Sequence, residues 1–247
     1  MQTILETLMT FPGYSPAALD FMRKLKRNNR RSWFQPRKEI YEREIKAPTL
    51  ALIDAVNVEL MRFAPRYVTP GKNAMLRIYR DTRFSANKAP YKSHISALFP
   101  RAGACRTSGA CFYFHFTAEE LLIFAGVWTP PADELRLIRP FVAEHYEKLR
   151  GILRARKVRE FFGEMQGEKL SRLPAGFAKD HPAAELVRGK QWFVECTLPA
   201  RVLTKPSVIN EIVARFRAAA PFVEFFNEPL IKRPQRADVF ARFAAGF

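Results

Sequence analysis

The chain has 247 residues, with 41 lysines and arginines against 24 aspartates and glutamates, and its net charge is +17. Apolar residues make up 48% and aromatic residues 13%, which excludes an intrinsically disordered chain, because such chains are poor in aromatic side chains. No apolar run approaches the roughly 18–20 residues that a membrane-spanning helix needs. We therefore expect a globular protein without a membrane partner.

The cysteine pattern favours a reducing compartment. Cys105, Cys111 and Cys196 form neither an even set nor a C-x-x-C pair, so neither a disulfide framework nor a zinc-ribbon site is expected. No basic residue precedes Arg23, which argues against the charged start of a secretory signal. We expect a cytoplasmic protein in which the cysteines are small buried apolar residues and no metal is bound.

The first third of the chain predicts helices. Ser15 and Pro16 are typical of a helix start, as the N-cap and the first helical residue. We expect this helix to end at Asn28 and Ser32 to cap a second one. A third helix is expected from Pro48, because apolar residues then recur every three or four positions, as one buried stripe requires.

The middle of the chain changes to strand-like patterns, and helices return after it. The expected strands are 75–80, 95–99, 110–116, 121–128 and 191–198. The expected later helices are 132–149, a short one through 161–162, and 206–219 with a continuation at 222–226. Trp128 is expected to fill the corner between strand and helix. This order predicts an α+β fold in which N-terminal and C-terminal helices pack on an antiparallel central sheet, within a single domain 1–247.

The positive charge is concentrated in one part of the chain. Residues 23–106 hold 20 basic and 6 acidic side chains, a balance of +14, whereas residues 107–247 hold 21 basic and 16 acidic ones. A cationic face attracts phosphate-bearing partners and speeds the encounter with them. We therefore expect a phosphate-bearing small molecule or a nucleic acid as partner, with a charge that only maintains solubility as the alternative.

The densest group of polar side chains lies between residues 80 and 94. Four cations of this segment are expected to bind an anionic ligand in a pocket: Arg80, Arg83, Lys88 and Lys92. Arginine presents a planar fork of donors that matches phosphate or carboxylate oxygens. Asp81 is expected to orient an arginine, and it is a candidate catalytic residue together with Tyr91 and His94, which could transfer a proton.

Two further residues complete the predicted site. Arg139 is expected to point back from its helix toward the anion-binding loop. His181 follows a loop and an aspartate, so it is a ligand-binding candidate, with a turn before a helix as the alternative. His115 and His145 are expected to pack in the core instead. No motif identifies a cofactor or a reaction.

Two other interpretations of the basic segments stay open. The basic and aromatic segment 28–34 suits single-stranded nucleic acid, where bases stack on rings and arginine meets phosphate, and it predicts a non-catalytic nucleic-acid-binding module. Burial of its two aromatic rings is the structural alternative. In the other interpretation the protein is a scaffold, and the contacts among Arg80, Asp81 and Arg83 only lock the loop.

Four sequence motifs occur in a distinctive order: NNRRSWF, RIYRDTRFSANKAPYKSH, YFHF with GVWTPP and LRLIR, and PAGFAKDHP. This order resembles the bacterial and fungal family called domain of unknown function 2461, over residues 16–230, which leaves a tail at 231–247. The resemblance implies signature positions at Arg80, Asp81, Arg83, Phe84, Lys88, Pro90, Tyr91 and Lys92. Asn87 stands where family members often carry aspartate, and Ala125 where they often carry glycine. The first departure removes a carboxylate and argues against a metal site in this loop.

Overall fold

A computed structural model describes residues 11–104 and 108–231. The helices are α1 (Pro16–Arg27), α2 (Arg31–Phe34), α3 (Lys38–Tyr41), α4 (Ala47–Phe63), α5 (Gly71–Ala74), α6 (Ala132–Glu144), α7 (Tyr146–Arg154), α8 (Arg156–Phe162), α9 (Ala184–Val187) and α10 (Val208–Ile231). The strands are β1 (Ile95–Phe99), β2 (Cys111–Phe116), β3 (Glu120–Val127) and β4 (Trp192–Pro199). They form one antiparallel sheet in the order β1-β2-β3-β4, which confirms the α+β fold.

The N-terminal helices start close to where the sequence predicts. The Ser15 hydroxyl accepts a hydrogen bond from the Ala18 amide at 3.1 Å, so the predicted N-cap of α1 is confirmed. The prediction for Ser32 is wrong, because α2 already begins at Arg31 and has no side-chain cap. A π-helical turn at Glu42–Lys46 leads directly into α4, which therefore begins one residue before the predicted start.

One face of the sheet forms the main core. The register pairs Phe114 with both Ala97 of β1 and Ile123 of β3, and all three are buried. Because strand side chains alternate between faces, these residues and their second neighbours project to the same side. Helix α10 packs there, with the Phe216 ring 4.9 Å from the ring of Phe112 between centroids.

Helix α10 is longer than predicted. It continues through Pro221, where the sequence predicts an interruption. A proline inside a helix removes one backbone hydrogen bond. The buried phenylalanines 216, 222, 225 and 226 lie on both sides of the proline, and their common burial against the core keeps the helix continuous.

The predicted strand at 75–80 is wrong. Only isolated bridges form there, between Met75 and Ala97 and between Tyr79 and Tyr91. The reason is that the segment turns away from β1 and pairs with its own continuation. The Arg80 amide donates to the Pro90 carbonyl at 2.9 Å, and the Lys92 amide donates to the Ile78 carbonyl at 2.8 Å.

The predicted helix 132–149 is divided in two. Helix α6 ends at Glu144, α7 begins at Tyr146, and His145 lies half-buried between them with its ring against Phe141. The prediction that His145 packs in the core is therefore wrong, because the residue occupies the bend between two helices.

Some predictions concern residues outside the described ranges. Cys105 and most of the predicted tail 231–247 are among them. Within the described ranges, no helix combines the length and the apolar character that crossing a membrane requires.

Asn227 joins the end of α10 to the start of β2. Its buried amide oxygen accepts from the Ala110 backbone amide at 2.9 Å, and its amide nitrogen donates to the Ala110 carbonyl and to the Tyr67 hydroxyl, both at 2.8 Å. Gly109 is needed beside it, because a Cβ at this position, which has a φ of 67°, would collide with the Asn227 side chain. The side chain therefore satisfies the Ala110 backbone groups next to the sheet.

Replacing Asn227 by alanine should lower the free energy of unfolding by about 2–4 kcal/mol, because buried Ala110 loses partners for both backbone groups. Urea denaturation would measure the change. Asn210→Ala is the matched control, since Asn210 is exposed on the same helix and its loss should cost less than about 0.5 kcal/mol. Equal stability of the two variants would contradict the role of Asn227.

Candidate functional site

The loop between residues 80 and 94 uses part of its own positive charge to hold its shape. The half-buried Arg80 guanidinium donates to the Ala89 carbonyl at 3.0 Å and to the Ser85 hydroxyl at 3.3 Å. The Lys88 ammonium donates to the Thr82 carbonyl at 3.0 Å. Arg80 thus has a structural role in the loop that requires no ligand.

Asp81 and Arg83 form a two-point ion pair in the same loop. Arg83 donates from Nε to Oδ1 at 3.0 Å and from Nη2 to Oδ2 at 2.7 Å. These bonds hold the pKa of the Asp81 carboxyl below its usual range. The Arg83 side chain is still 77% exposed, so Asp81 orients a guanidinium that remains accessible to a ligand.

Phe84 is the most exposed large apolar side chain of the described residues, at 96%. Its ring lies 5.7 Å from the guanidinium carbon of Arg83. A phenyl ring in this position contributes nothing to the core, and it presents an apolar surface next to a cation.

Tyr91 anchors the far end of the loop. Its ring is buried and stacks on Phe34, with 4.1 Å between centroids. The Asn29 side chain donates to the Tyr91 carbonyl at 2.8 Å and accepts from the Tyr91 amide at 3.0 Å. Burial raises the pKa of the Tyr91 phenol. These contacts place Tyr91 in the interior, where it fixes the loop to the N-terminal helices.

His94 lies next to His115 rather than among the cations of the loop. The two rings are 4.9 Å apart between centroids. Burial lowers the pKa of His94 to about 4, with smaller contributions from His115 and Lys92, and burial also lowers the pKa of His115. Both imidazoles are therefore neutral at pH 7.

Further arginines are exposed in the same basic part of the chain. Arg30, Arg31 and Arg77 are exposed, and none of them forms an ion pair within the described ranges. The charge of Arg31 offsets part of the rise that burial causes in the pKa of Tyr91, and the charge of Arg77 adds to the effect of Arg83 on Asp81. Arg31 and Arg77 thus belong to the same cationic surface as the loop.

Arg139 and His181 have their contacts near α9 instead. Arg139 donates to the Gly189 carbonyl at 3.1 Å, and burial lowers the pKa of its guanidinium. His181 Nδ1 accepts from the Ala183 amide at 3.0 Å, which closes a turn before the helix. Neither side chain is hydrogen-bonded to the loop at residues 80–94.

A pocket of about 460 Å³ opens on the face of the sheet opposite α10. The residues that define its chemistry are Leu98, Tyr113, His115, Phe124, Trp128 and Glu195. None of the cations predicted to bind a ligand lines it. This pocket is therefore not the one predicted at the loop of residues 80–94.

The pocket combines aromatic walls with a few polar groups. His115 Nδ1 is buried and has no hydrogen-bond partner. Burial raises the pKa of the Glu195 carboxyl and that of the Cys111 thiol, the latter to about 12. No cluster of histidine, cysteine and acidic side chains able to hold a metal ion occurs in the described ranges.

Two residues of this pocket lie elsewhere than the sequence predicts. The sequence predicts His115 in the core, but it is half-buried on the opposite face of β2, because it alternates with the core residues Phe114 and Phe116. Trp128 was predicted to fill a corner, but it is 53% exposed and lines the pocket. In β2, the apolar phenylalanines alternate with Tyr113 and His115, which carry polar groups. This alternation is the sequence signal for a second, pocket-lining face of the strand.

The comparisons with known proteins identify a family but no activity. The family model described as conserved hypothetical protein (DUF2461) matches residues 17–225. No curated protein and no solved structure matches the chain. Because the family model covers most of the sequence, including the loop and all four strands, the chain belongs to the DUF2461 family.

Proposed function

We propose that the protein binds a phosphate-bearing partner at the loop of residues 80–94, and that this partner is a single-stranded nucleic acid. The observation that carries the proposal is Phe84, a fully exposed ring beside the accessible guanidinium of Arg83. Proteins that bind single strands combine cations for the backbone with aromatic rings on which bases stack.

Other exposed charges of the basic segment support the same partner. Arg30, Arg31 and Arg77 are exposed and have no acidic partner within the described ranges, and residues 23–106 carry a balance of +14. Cations without acidic partners can neutralise phosphates without first breaking an internal ion pair. Tyr79, 45% exposed, is a second accessible ring in the same part of the chain.

The exposure of the loop favours a polymer over a small phosphate ligand. Arg83, Phe84 and Lys88 are all exposed and do not line the pocket. A small ligand gains affinity from an enclosing cavity, whereas a strand gains it from contacts along a surface. A nucleoside triphosphate that bound as tightly as an oligonucleotide would favour the small ligand.

The scaffold interpretation also has an observation in its favour. Arg80 makes two hydrogen bonds that hold the loop together, as a structural lock requires. We assign Arg80 to stability and Arg83 and Phe84 to binding, while Lys88, which is exposed but also donates to the Thr82 carbonyl, contributes to both.

Phe84→Ala should weaken binding of a labelled oligothymidine by about 1–3 kcal/mol, because one base loses its stacking surface. Fluorescence anisotropy would measure the affinity. Met61→Ala removes another exposed apolar side chain, on α4, and should leave the affinity unchanged. Equal affinities of the two variants would contradict stacking on Phe84.

The double variant Arg83→Ala, Lys88→Ala should lower the affinity and flatten its dependence on salt. The slope of log affinity against log salt is about −0.7 per phosphate contacted on a single strand, so losing two contacts should reduce it by about 1.4. The double variant Lys179→Ala, Lys205→Ala removes the same charge from exposed sites elsewhere. If it has the same effect, binding depends on net charge alone and the loop is not the site.

Arg80→Ala should lower the free energy of unfolding by about 1–2 kcal/mol, because two hydrogen bonds of the loop are lost. Arg83→Ala should cost less than about 0.5 kcal/mol, since its ion pair is exposed. Urea denaturation of both variants tests this division. A larger loss of stability from Arg83→Ala than from Arg80→Ala would assign the structural role to the ion pair.

A further inference from the structure

Glu195 is an acidic side chain without a visible partner. It lies half-buried in β4 on the pocket face of the sheet, and no ion pair or side-chain hydrogen bond to it is found within residues 11–104 and 108–231. Burial raises the pKa of its carboxyl, which reflects the cost of holding a charge there. Partly buried carboxylates are normally paired, so a partner supplied from outside would remove this cost.

The surroundings of Glu195 are aromatic. Phe124 is its direct neighbour across the β3–β4 pair, and Tyr113 is the neighbour of Phe124 on β2. The Phe124 ring meets Tyr113 and Trp128 edge to face, at 6.2 Å and 6.0 Å between centroids. Faces of aromatic rings attract cations, and tryptophan does so most strongly.

The nearby histidines add no positive charge at neutral pH. Burial lowers the pKa values of His94 and His115, so both imidazoles are neutral. His115 Nδ1 is buried, so a molecule in the pocket does not reach this atom, and the neutral ring only contributes to the lining. No lysine or arginine is among the residues that line the pocket.

We propose that this pocket binds an organic cation, an ammonium group attached to an apolar or aromatic body. Glu195 is the counter-ion, and the rings of Tyr113, Phe124 and Trp128 form the wall. The volume of about 460 Å³ lies in the range of small-molecule sites. This site is separate from the proposed nucleic-acid surface, so the two proposals are tested independently of each other.

Other occupants fit the pocket less well. An anion would be repelled by Glu195, and a neutral apolar molecule would bury the carboxylate without giving it a partner. A bare metal ion lacks ligands, because no suitable cluster occurs in the described ranges.

The test compares three compounds of similar shape on the full-length protein: 2-phenylethylamine, which is protonated at pH 7, neutral 2-phenylethanol, and the anion 3-phenylpropionate. Tryptophan fluorescence follows the titrations, since Trp128 lines the pocket. The amine should bind at least about tenfold more tightly than the alcohol, a difference of about 1.4 kcal/mol. The anion should bind most weakly.

Two variants locate the binding. Glu195→Gln keeps the shape of the side chain and should remove the preference for the amine, while the affinity for the alcohol stays unchanged. Trp128→Ala should weaken amine binding about fivefold, and it is read by calorimetry because the fluorophore is lost. Glu164→Gln, an exposed carboxylate outside the pocket, is the matched control and should change nothing.

The proposal is overturned if the alcohol or the anion binds as tightly as the amine, or if Glu195→Gln and Glu164→Gln give the same result. A pocket already filled by another part of the chain, or by a second copy, would bind none of the three compounds. That outcome overturns the proposal as well.

Discussion

The alternation of side chains across the four-stranded sheet is the constraint on which the rest of the structure depends. In β2, Phe112, Phe114 and Phe116 are buried on the side of α10, so the intervening Tyr113 and His115 must lie on the opposite face. The single strand thus contributes to the core and to the pocket at once. A shift of register by one residue would exchange these two sets, so the pairing that builds the core also builds the pocket.

The loop of residues 80–94 divides its cations between structure and surface. Arg80 is half-buried and bonds to the loop backbone, while Arg83 is held by Asp81 in an exposed orientation. An arginine with a fixed guanidinium loses less conformational entropy when it meets a phosphate. The ion pair therefore fixes the orientation of the Arg83 guanidinium but also occupies part of its donor fork. Exposed ion pairs contribute little to stability. The main effect of the pair between Asp81 and Arg83 is therefore to orient the Arg83 guanidinium.

The fold was largely predictable because its elements follow local patterns. The four observed strands lie within one residue of the predicted ones, and Ser15 caps α1 as its position indicates. The errors come from tertiary contacts that no local pattern reveals. Residues 75–80 alternate like a strand but pair with the segment after the loop, and the stripe of buried phenylalanines overrides Pro221. The pocket is not predictable in this way, because a strand as rich in aromatic residues as β2 is typical of burial on both faces.

The protein has a net charge of +17, which repels cations. For the pocket to bind an organic cation, attraction by Glu195 and the aromatic rings must outweigh this repulsion. Dissolved salt reduces the repulsion, because at physiological ionic strength the Debye length is about 8 Å and charges farther away than this are screened. At a contact of about 4 Å, an ion pair near the surface gains on the order of 4 kcal/mol with an effective dielectric constant of about 20. The neutral histidines leave this attraction unopposed in the pocket. The basic loop and the pocket with Glu195 are therefore compatible in one chain, because the electrostatic effect of each site falls off over a distance shorter than the molecule.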